Sequence, residues 1–122
     1  MTTHSPVVHW EIGARNAPAL GSFLREMFGW EVVPAGPEYW LVPDGHSGIG
    51  GGILQVADEV PSYLTFYVQV EDLEQAVEHA IELGGKEVIG PMTVPGVGRF
   101  AMFADPEGHV LGMLEPAPGE VA

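Results

Sequence analysis

Apolar and polar residues alternate in the first stretch of the chain that has a regular pattern, VVHWEI from Val7. This alternation predicts a β-strand, because successive side chains of a strand point to opposite faces of the sheet. The apolar residues Val8, Trp10 and Ile12 fall on one face. His9 and Glu11 therefore share the other face, so that two polar side chains lie side by side.

The pattern then changes to helical spacing. Asn16 is a favourable N-cap and Gly29 a favourable end for a helix of about three turns. Its apolar residues recur every three or four positions: Leu20, Phe23, Leu24, Met27 and Phe28. Such spacing predicts an amphipathic helix with one apolar face.

Three further strands follow the helix, and the same order of elements then occurs again. The first three are WEVVPA, EYWLVP and GIGGGILQV, separated by turn signals. In the second half, YLTFYVQV predicts a strand, Asp72 caps a helix through EQAVEHAIEL, and Gly84 and Gly85 end it. The segments KEVIGPMTV, GRFAMFA and HVLGMLEP complete the pattern. The sequence thus predicts an α+β fold of two βαβββ modules at an offset of about 55 residues.

The length of 122 residues suits one domain spanning residues 1–122, with modules at about 7–56 and about 63–115. Seventeen Asp and Glu against four Lys and Arg give a formal charge of −13, which argues against nucleic acid and anionic membranes as partners. The acidity serves solubility or, if concentrated near a pocket, attracts a cationic small molecule. The chain has no Cys and no apolar run of membrane-spanning length, and we expect a cytoplasmic protein.

The segment ADPEGH places three polar side chains close together before the last predicted strand. Pro106 and Gly108 suit a tight turn. We expect Asp105 to accept hydrogen bonds from turn amides, Glu107 to point to solvent and His109 to start the strand. This structural interpretation is preferred over a catalytic one.

The VVHWEI opening, the helix ends FGWEVV and LGGKEV, and the ending PGVGRFAMFADPEGHVLGMLEP together resemble the vicinal oxygen chelate superfamily. This superfamily includes glyoxalase I, bleomycin-resistance proteins and extradiol dioxygenases. The resemblance implies that the two modules form an open cup-shaped sheet, and it implies a homodimer. In metal-dependent members, one ligand side chain stands on each of four strands.

Only one of those four ligand positions is filled here. The resemblance places them at His9, at Thr65, at Gly112 and among Gly50–Gly52. Thr and Gly do not replace imidazole or carboxylate as ligands, so we expect no metal and no other cofactor. The alternative is a different metal site around His9 and Glu11, with help from Gln55, Gln69 or His109.

If His9 faces the cup, strand alternation assigns further residues to it. These candidate ligand-binding residues are Trp40, Gln55, Thr65, Tyr67, Gln69, Val110, Gly112 and Leu114. The same alternation assigns to the helix-packed core Leu64, Phe66, Val68, Val70, Leu111 and Met113. Trp40 and its neighbour Tyr39 either line the cup or divide between core and interface. The glycines at ligand positions are expected to leave the cup roomy.

These patterns favour binding of a small organic molecule, such as an antibiotic or secondary metabolite, without a metal. An alternative is a metal-independent isomerase, lyase or hydrolase with His9 and Glu11 as its catalytic acid/base pair. In that alternative the carboxylate raises the pKa of the imidazole toward neutrality. A second alternative is a metal-dependent glyoxalase or dioxygenase-like enzyme.

Overall fold

The computed structural model describes residues 4–45, 48–95 and 97–117. It contains two helices and eight strands, which run β1 Val7–Ala14, α1 Ala17–Phe28, β2 Val33–Pro34, β3 Tyr39–Val42, β4 Gly51–Gln55, β5 Tyr63–Gln69, α2 Leu73–Glu82, β6 Lys86–Val94, β7 Gly98–Ala104 and β8 Val110–Pro116. The predicted α+β class and the doubled βαβββ order are confirmed. The cup that the two modules would form together stays a prediction.

Contacts divide the described chain into two units. The first unit is His9–Thr65, and the second comprises residues 66–117 together with 4–8. In the first unit the strands lie in the order β2, β3, β4, β1, and only β4 and β1 are parallel. In the second unit the order is β5, β8, β7, β6, and only β5 and β8 are parallel. Each unit therefore places its first strand beside its last.

Each unit has a core between its helix and its sheet. Ile53 on β4 is fully buried and packs with Ala17 and Leu24 of α1. Leu73 of α2 is fully buried and packs with Ala101 of β7 and Met113 of β8. The hydrophobic effect drives this burial.

The apolar face of α1 differs from the predicted one. Its buried residues are the small Ala17 and Gly21 together with Leu24. Phe23, Met27 and Phe28 are more than half exposed. Small side chains at successive turns let the helix lie close to its sheet: a methyl group at Gly21 would already stand 3.3 Å from Val32 Cγ1. The larger apolar residues are therefore left on the outer side.

The assignment of β5 residues to the core was wrong at its start. Leu64 is 75% exposed and Phe66 is 37% exposed, whereas Thr65 between them is buried at 5%. Val68 and Val70 are half-buried, and Val70 packs against the core of the second unit. Alternation fixes which residues share a face, but it does not say whether other residues cover that face.

The predicted helix caps are confirmed. The side chain of Asn16 accepts a hydrogen bond from the amide of Ala19 at 3.1 Å, and Asp72 accepts one from Gln75 at 3.0 Å. Gly29 ends α1 with a φ of 71°, a left-handed conformation that glycine adopts without strain. Neither helix in the described residues is long and apolar enough to cross a membrane.

The structural interpretation of the ADPEGH turn is also confirmed at Asp105. Its Oδ1 accepts hydrogen bonds from the amides of Glu107 and His109, both at 2.9 Å, and its carboxylate contacts His109 Nδ1 at 2.9 Å. These hydrogen bonds, the His109 amide first, hold the pKa of Asp105 below its ordinary value. Glu107 is exposed, and His109 directly precedes β8.

Candidate functional site

The polar face of β1 carries two hydrogen-bonded pairs in the first unit. Nε2 of His9 lies 2.9 Å from the Tyr39 hydroxyl, and the Tyr63 hydroxyl donates to Oε2 of Glu11 at 2.6 Å. All four side chains are half-buried. We call His9, Glu11, Tyr39 and Tyr63 the His9 cluster. It unites an imidazole, a carboxylate and two phenols.

Two glycines make room for the tyrosine rings of this cluster. The hydroxyl end of Tyr39 lies where a Cβ of Gly52 would stand, and the ring of Tyr63 lies where a Cβ of Gly13 would stand. Any larger residue at either glycine would overlap a ring. The sheet therefore admits the rings because β1 and β4 lack side chains at these two points.

The protonation states of His9 and Tyr39 are fixed by their surroundings. Burial lowers the pKa of His9, because a charged imidazolium would lose water contacts. Burial, and next the negative charge of Glu11, raise the pKa of Tyr39 well above its usual value. At neutral pH the imidazole and the phenol are both uncharged. The expected rise of the His9 pKa beside Glu11 was wrong, because desolvation dominates.

The glycines at the predicted ligand positions do not leave open space. Gly52 is covered by Tyr39 and Gly51 by the ring of Trp10, while Gly112 in the second unit is covered by Tyr67. The expectation of a roomy site at these positions was wrong. Aromatic rings from the protein itself fill the space that a ligand side chain would take.

Two candidate ligand-binding residues take part in the packing and helix capping of the first unit, and their role in ligand binding stays a prediction. Trp40 packs against the apolar core of the first unit, opposite Ile53 on β4, so Tyr39 rather than Trp40 stands beside His9. Gln55 accepts a hydrogen bond from the amide of Ala17 at 2.8 Å and donates to the carbonyl of Arg15 at 2.7 Å. The first turn of α1 has amides without partners inside the helix, and Gln55 satisfies one of them.

The other candidate residues lie mainly on the paired strands β5 and β8. Tyr67 pairs with Gly112 and Gln69 with Leu114. Tyr67 also meets Phe100 edge to face, with ring centroids 6.2 Å apart. Oε1 of Gln69 is buried and has no hydrogen-bond partner among the residues that the structure describes. Thr65 is buried in the first unit, and Val110 at the start of β8 is 42% exposed.

The side chains at the four positions do not fit a divalent metal. His9 is the one with a metal-binding side chain, and its Nε2 is hydrogen-bonded to Tyr39. Within the described residues, one group of three acidic side chains is close enough to share an ion: Asp72, Glu74 and Glu115. Arg99 donates to both Glu74 and Glu115, at 2.6 and 2.9 Å, and lowers the pKa of Glu74 to about 2. Glu74 and Glu115 thus form an ion-pair network with Arg99 that joins β7, β8 and α2, and Asp72 caps α2.

An acidic groove lies in the second unit, beside α2. Its charged and polar lining residues are His4, Ser5, Gln69, Glu71, Asp72, Gln75, Glu78, His79 and Glu82. No Lys or Arg is among the residues that line it. Some of the negative charge thus gathers at one concave surface, as attraction of a cation would require. Of the candidate site residues, only Gln69 lines this groove.

Sequence reasoning did not assign Tyr39 a contact with His9, and it did not name Tyr63 at all. Tyr63 lies two residues before Thr65 on β5, so the alternation that selected Thr65 also places Tyr63 on that face. The position of Tyr39 depends on the antiparallel pairing of β3 with β4, which sets Tyr39 opposite Leu54. That pairing could not be read from the spacing of apolar residues.

The family assignment comes from comparison with known proteins. The sequence model of the glyoxalase-like domain family matches residues 9–113, which is most of the chain. The chain belongs to this family. The resemblance to the vicinal oxygen chelate superfamily is thereby confirmed.

Several curated proteins resemble this glyoxalase-like chain. "Putative glyoxylase CFP32" of Mycobacterium bovis is 33% identical over 86 residues, which cover 70% of this chain and 33% of that protein. "Anthracycline biosynthesis protein DnrV" of Streptomyces peucetius is 25% identical, with coverage of 92% of this chain and 51% of that protein. The chain thus spans between a third and a half of the length of these two relatives.

Solved structures share the fold at low sequence identity. Methylmalonyl-CoA epimerase from Mycobacterium tuberculosis is similar with a TM-score of 0.73 and 16% identity, covering 97% of this chain and 94% of that one. A glyoxalase/bleomycin resistance protein/dioxygenase superfamily member from Vibrio splendidus gives a TM-score of 0.67 and 17% identity, covering 93% of this chain and all of that one (100%). These likenesses support the fold alone.

Proposed function

We propose that this glyoxalase-like protein binds a small organic molecule at the His9 cluster, without a divalent metal at the four family positions. The observation that carries the proposal is the hydrogen bond of 2.9 Å between His9 Nε2 and the Tyr39 hydroxyl. This bond pairs Nε2 of His9 with the phenol of Tyr39, so that polar side chains come together at one face of β1.

The protonation states favour binding over proton transfer. A general acid or base works best when its pKa lies near the working pH. The pKa of His9 is lowered and that of Tyr39 is raised, so both move away from neutrality. Uncharged groups with fixed hydrogen-bonding roles suit recognition of a ligand.

The proposed ligand class is an antibiotic or another secondary metabolite. A relative at 25% identity is named for anthracycline biosynthesis, which is the synthesis of a secondary metabolite. The tyrosine rings of the His9 cluster suit contact with an aromatic ligand. The carboxylate of Glu11 in the cluster would favour a ligand that also carries a positive charge.

A ligand screen with two readouts tests the proposal. Purified protein is mixed with a panel of neutral and cationic aromatic metabolites, including an anthracycline, and binding is measured by calorimetry. The mixture is then incubated overnight, and the mass of the ligand is measured by mass spectrometry. We expect binding with an unchanged ligand mass, and about tenfold weaker binding for His9→Ala, since the loss of one hydrogen bond worth about 1.4 kcal/mol weakens binding by that factor. His109→Ala is the matched control, because His109 pairs with Asp105 at the exposed turn.

A second candidate function is a metal-independent isomerase, lyase or hydrolase. The observation that favours it is the bond of 2.6 Å from Tyr63 to Glu11, which orients a carboxylate two residues from His9 on the same strand. A new mass in the overnight mixture that depends on His9 and Glu11 would support this enzyme and overturn the binding proposal.

Elemental analysis tests the proposal that the protein binds its ligand without a divalent metal. Protein purified without a tag or chelator is analysed by plasma mass spectrometry, with His9→Ala in parallel. Stoichiometric Zn, Ni, Mn or Fe that disappears in the variant would contradict the proposal and favour a glyoxalase or dioxygenase-like enzyme.

Homodimer formation also stays a prediction. Light scattering tests it, and a homodimer would give a mass twice that of one chain.

A further inference from the structure

The hydrogen bond between Tyr39 and His9 has a donor that can be deduced. Nε2 of His9 and the hydroxyl of Tyr39 are 2.9 Å apart, and either group could donate. Among the described residues, Nε2 is the hydrogen-bond partner of the Tyr39 hydroxyl. If His9 donated, the phenol proton would point to no acceptor among the described residues and would depend on solvent water at a half-buried place, which is less favourable than a bond to Nε2. Tyr39 therefore donates.

The protonation states agree with this direction. The lowered pKa of His9 leaves a neutral ring with one unprotonated nitrogen, and the raised pKa of Tyr39 keeps the proton on the phenol. When Nε2 accepts a hydrogen bond, the single proton of a neutral imidazole lies on Nδ1.

The position of the phenol depends on the backbone of β4. The hydroxyl end of Tyr39 lies over Gly52, in space that a Cβ would occupy. Gly52 pairs with Leu41 of β3 on one side and Glu11 of β1 on the other. The side chain of Tyr39 therefore runs from β3 across the face of β4, and its hydroxyl is directed at His9 on β1.

We propose that Tyr39 is the positioning residue of the His9 cluster, which fixes His9 as the Nδ1-protonated tautomer and withholds Nε2 from ligands and metal ions. The relevance to binding rests on the proposed function, whereas the tautomer itself does not. A ligand or ion that needs Nε2 must first displace the phenol of Tyr39.

Nuclear magnetic resonance of the unmodified chain tests this directly. Long-range ¹H–¹⁵N correlation at pH 7.5 reports which ring nitrogen of each histidine carries the proton, and the spectrum of His9→Gln assigns the signals of His9. We expect an unprotonated Nε2 and a protonated Nδ1. A His9 protonated at Nε2 in the wild-type protein would overturn the proposal, whatever any variant does.

Two tyrosine variants separate positioning from general structural support. In Tyr39→Phe, we expect the ¹⁵N shifts of His9 to move toward a mixture of tautomers, because the donor to Nε2 is gone. Tyr63→Phe removes the hydroxyl that bonds Glu11 and leaves Tyr39 in place, so we expect the wild-type pattern. A wild-type pattern in Tyr39→Phe would contradict the proposal.

Failure of the ligand screen would leave the tautomer result intact, so the two proposals fail separately. If a ligand is found, we expect Tyr39→Phe to weaken its binding by about twofold or more, because only part of the His9 population would keep the proton on Nδ1, and we expect this loss in parallel with the change in the ¹⁵N shifts. An affinity change without a change in tautomer would mean that Tyr39 contacts the ligand itself, and the positioning role would then be wrong.

Discussion

The two units cover a glycine of their last strand with a tyrosine in two different ways. In the second unit, Tyr67 of β5 pairs with Gly112 of β8 and covers it directly. In the first unit, the residue paired with Gly52 on the first strand is Glu11, and the covering ring comes from Tyr39 on β3. The space beside the glycine is thus filled from the first strand in the second unit and from β3 in the first unit.

This difference shows how two copies of a repeated fold come to carry different side chains at corresponding positions. In the first unit the ring over Gly52 comes from Tyr39 on β3. The neighbouring strand β1 therefore need not supply a ring, and it carries Glu11 and His9 on that face. In the second unit the corresponding strand supplies the covering ring itself. The position that resembles His9 is Thr65, which is buried at 5%.

The largest expected effects test whether the cores of the two units are equivalent. Ile53→Ala and Leu73→Ala each remove a fully buried side chain, and we expect each to lower the free energy of unfolding by about 2–5 kcal/mol. Urea denaturation measures the loss. An effect below about 1 kcal/mol at either site would show that the burial of that side chain contributes little.

A methyl group at either covered glycine is expected to destabilise the protein, but only the one at Gly52 is expected to affect His9. Gly52→Ala and Gly112→Ala would overlap Tyr39 and Tyr67, and we expect each to cost about 1–3 kcal/mol of unfolding free energy. Only Gly52→Ala should also change the ¹⁵N shifts of His9. Gly45→Ala is the matched control, because no heavy atom of the described residues lies within 4 Å of its Cβ position. Equal stability of all three variants would contradict the close packing.

The helix caps offer a smaller test in which the units should behave alike. Asn16→Ala and Asp72→Ala each remove a side chain that accepts from a first-turn amide, and we expect a loss of about 0.5–2 kcal/mol at each site. Thermal denaturation compares them, with Asn16→Ser and Asp72→Ser as variants that keep a capping oxygen. If serine restores nothing, the loss has another cause.

The smallest expected effect is a pH dependence specific to the first unit. The folded pKa of His9 lies below the unfolded value of about 6.5, so the unfolded chain binds the proton more readily. The stability contribution is present above pH of about 6.5 and is lost as the pH falls through the folded pKa. We expect the wild type to lose more stability than His9→Gln between pH 7.5 and 5.5, measured by urea denaturation. Equal losses would contradict the lowered pKa.

The spacing of residues along the chain was sufficient to predict the order of elements, both helix caps and the polar face of β1. These depend on local geometry: side chains alternate along a strand, and an Asn or Asp side chain reaches an amide three residues away. The Asp105 turn follows from the same short-range hydrogen bonding.

The partners of His9 and Glu11 were decided only by the tertiary structure. Tyr39 is 30 residues from His9 and Tyr63 is 52 residues from Glu11, and each meets its partner across strand pairings that local pattern does not specify. The same holds for the glycines: the sequence showed that they lack ligand side chains, but only packing showed that aromatic rings fill their space. Burial then lowered the pKa of His9, because desolvation depends on every neighbour rather than on the adjacent carboxylate alone.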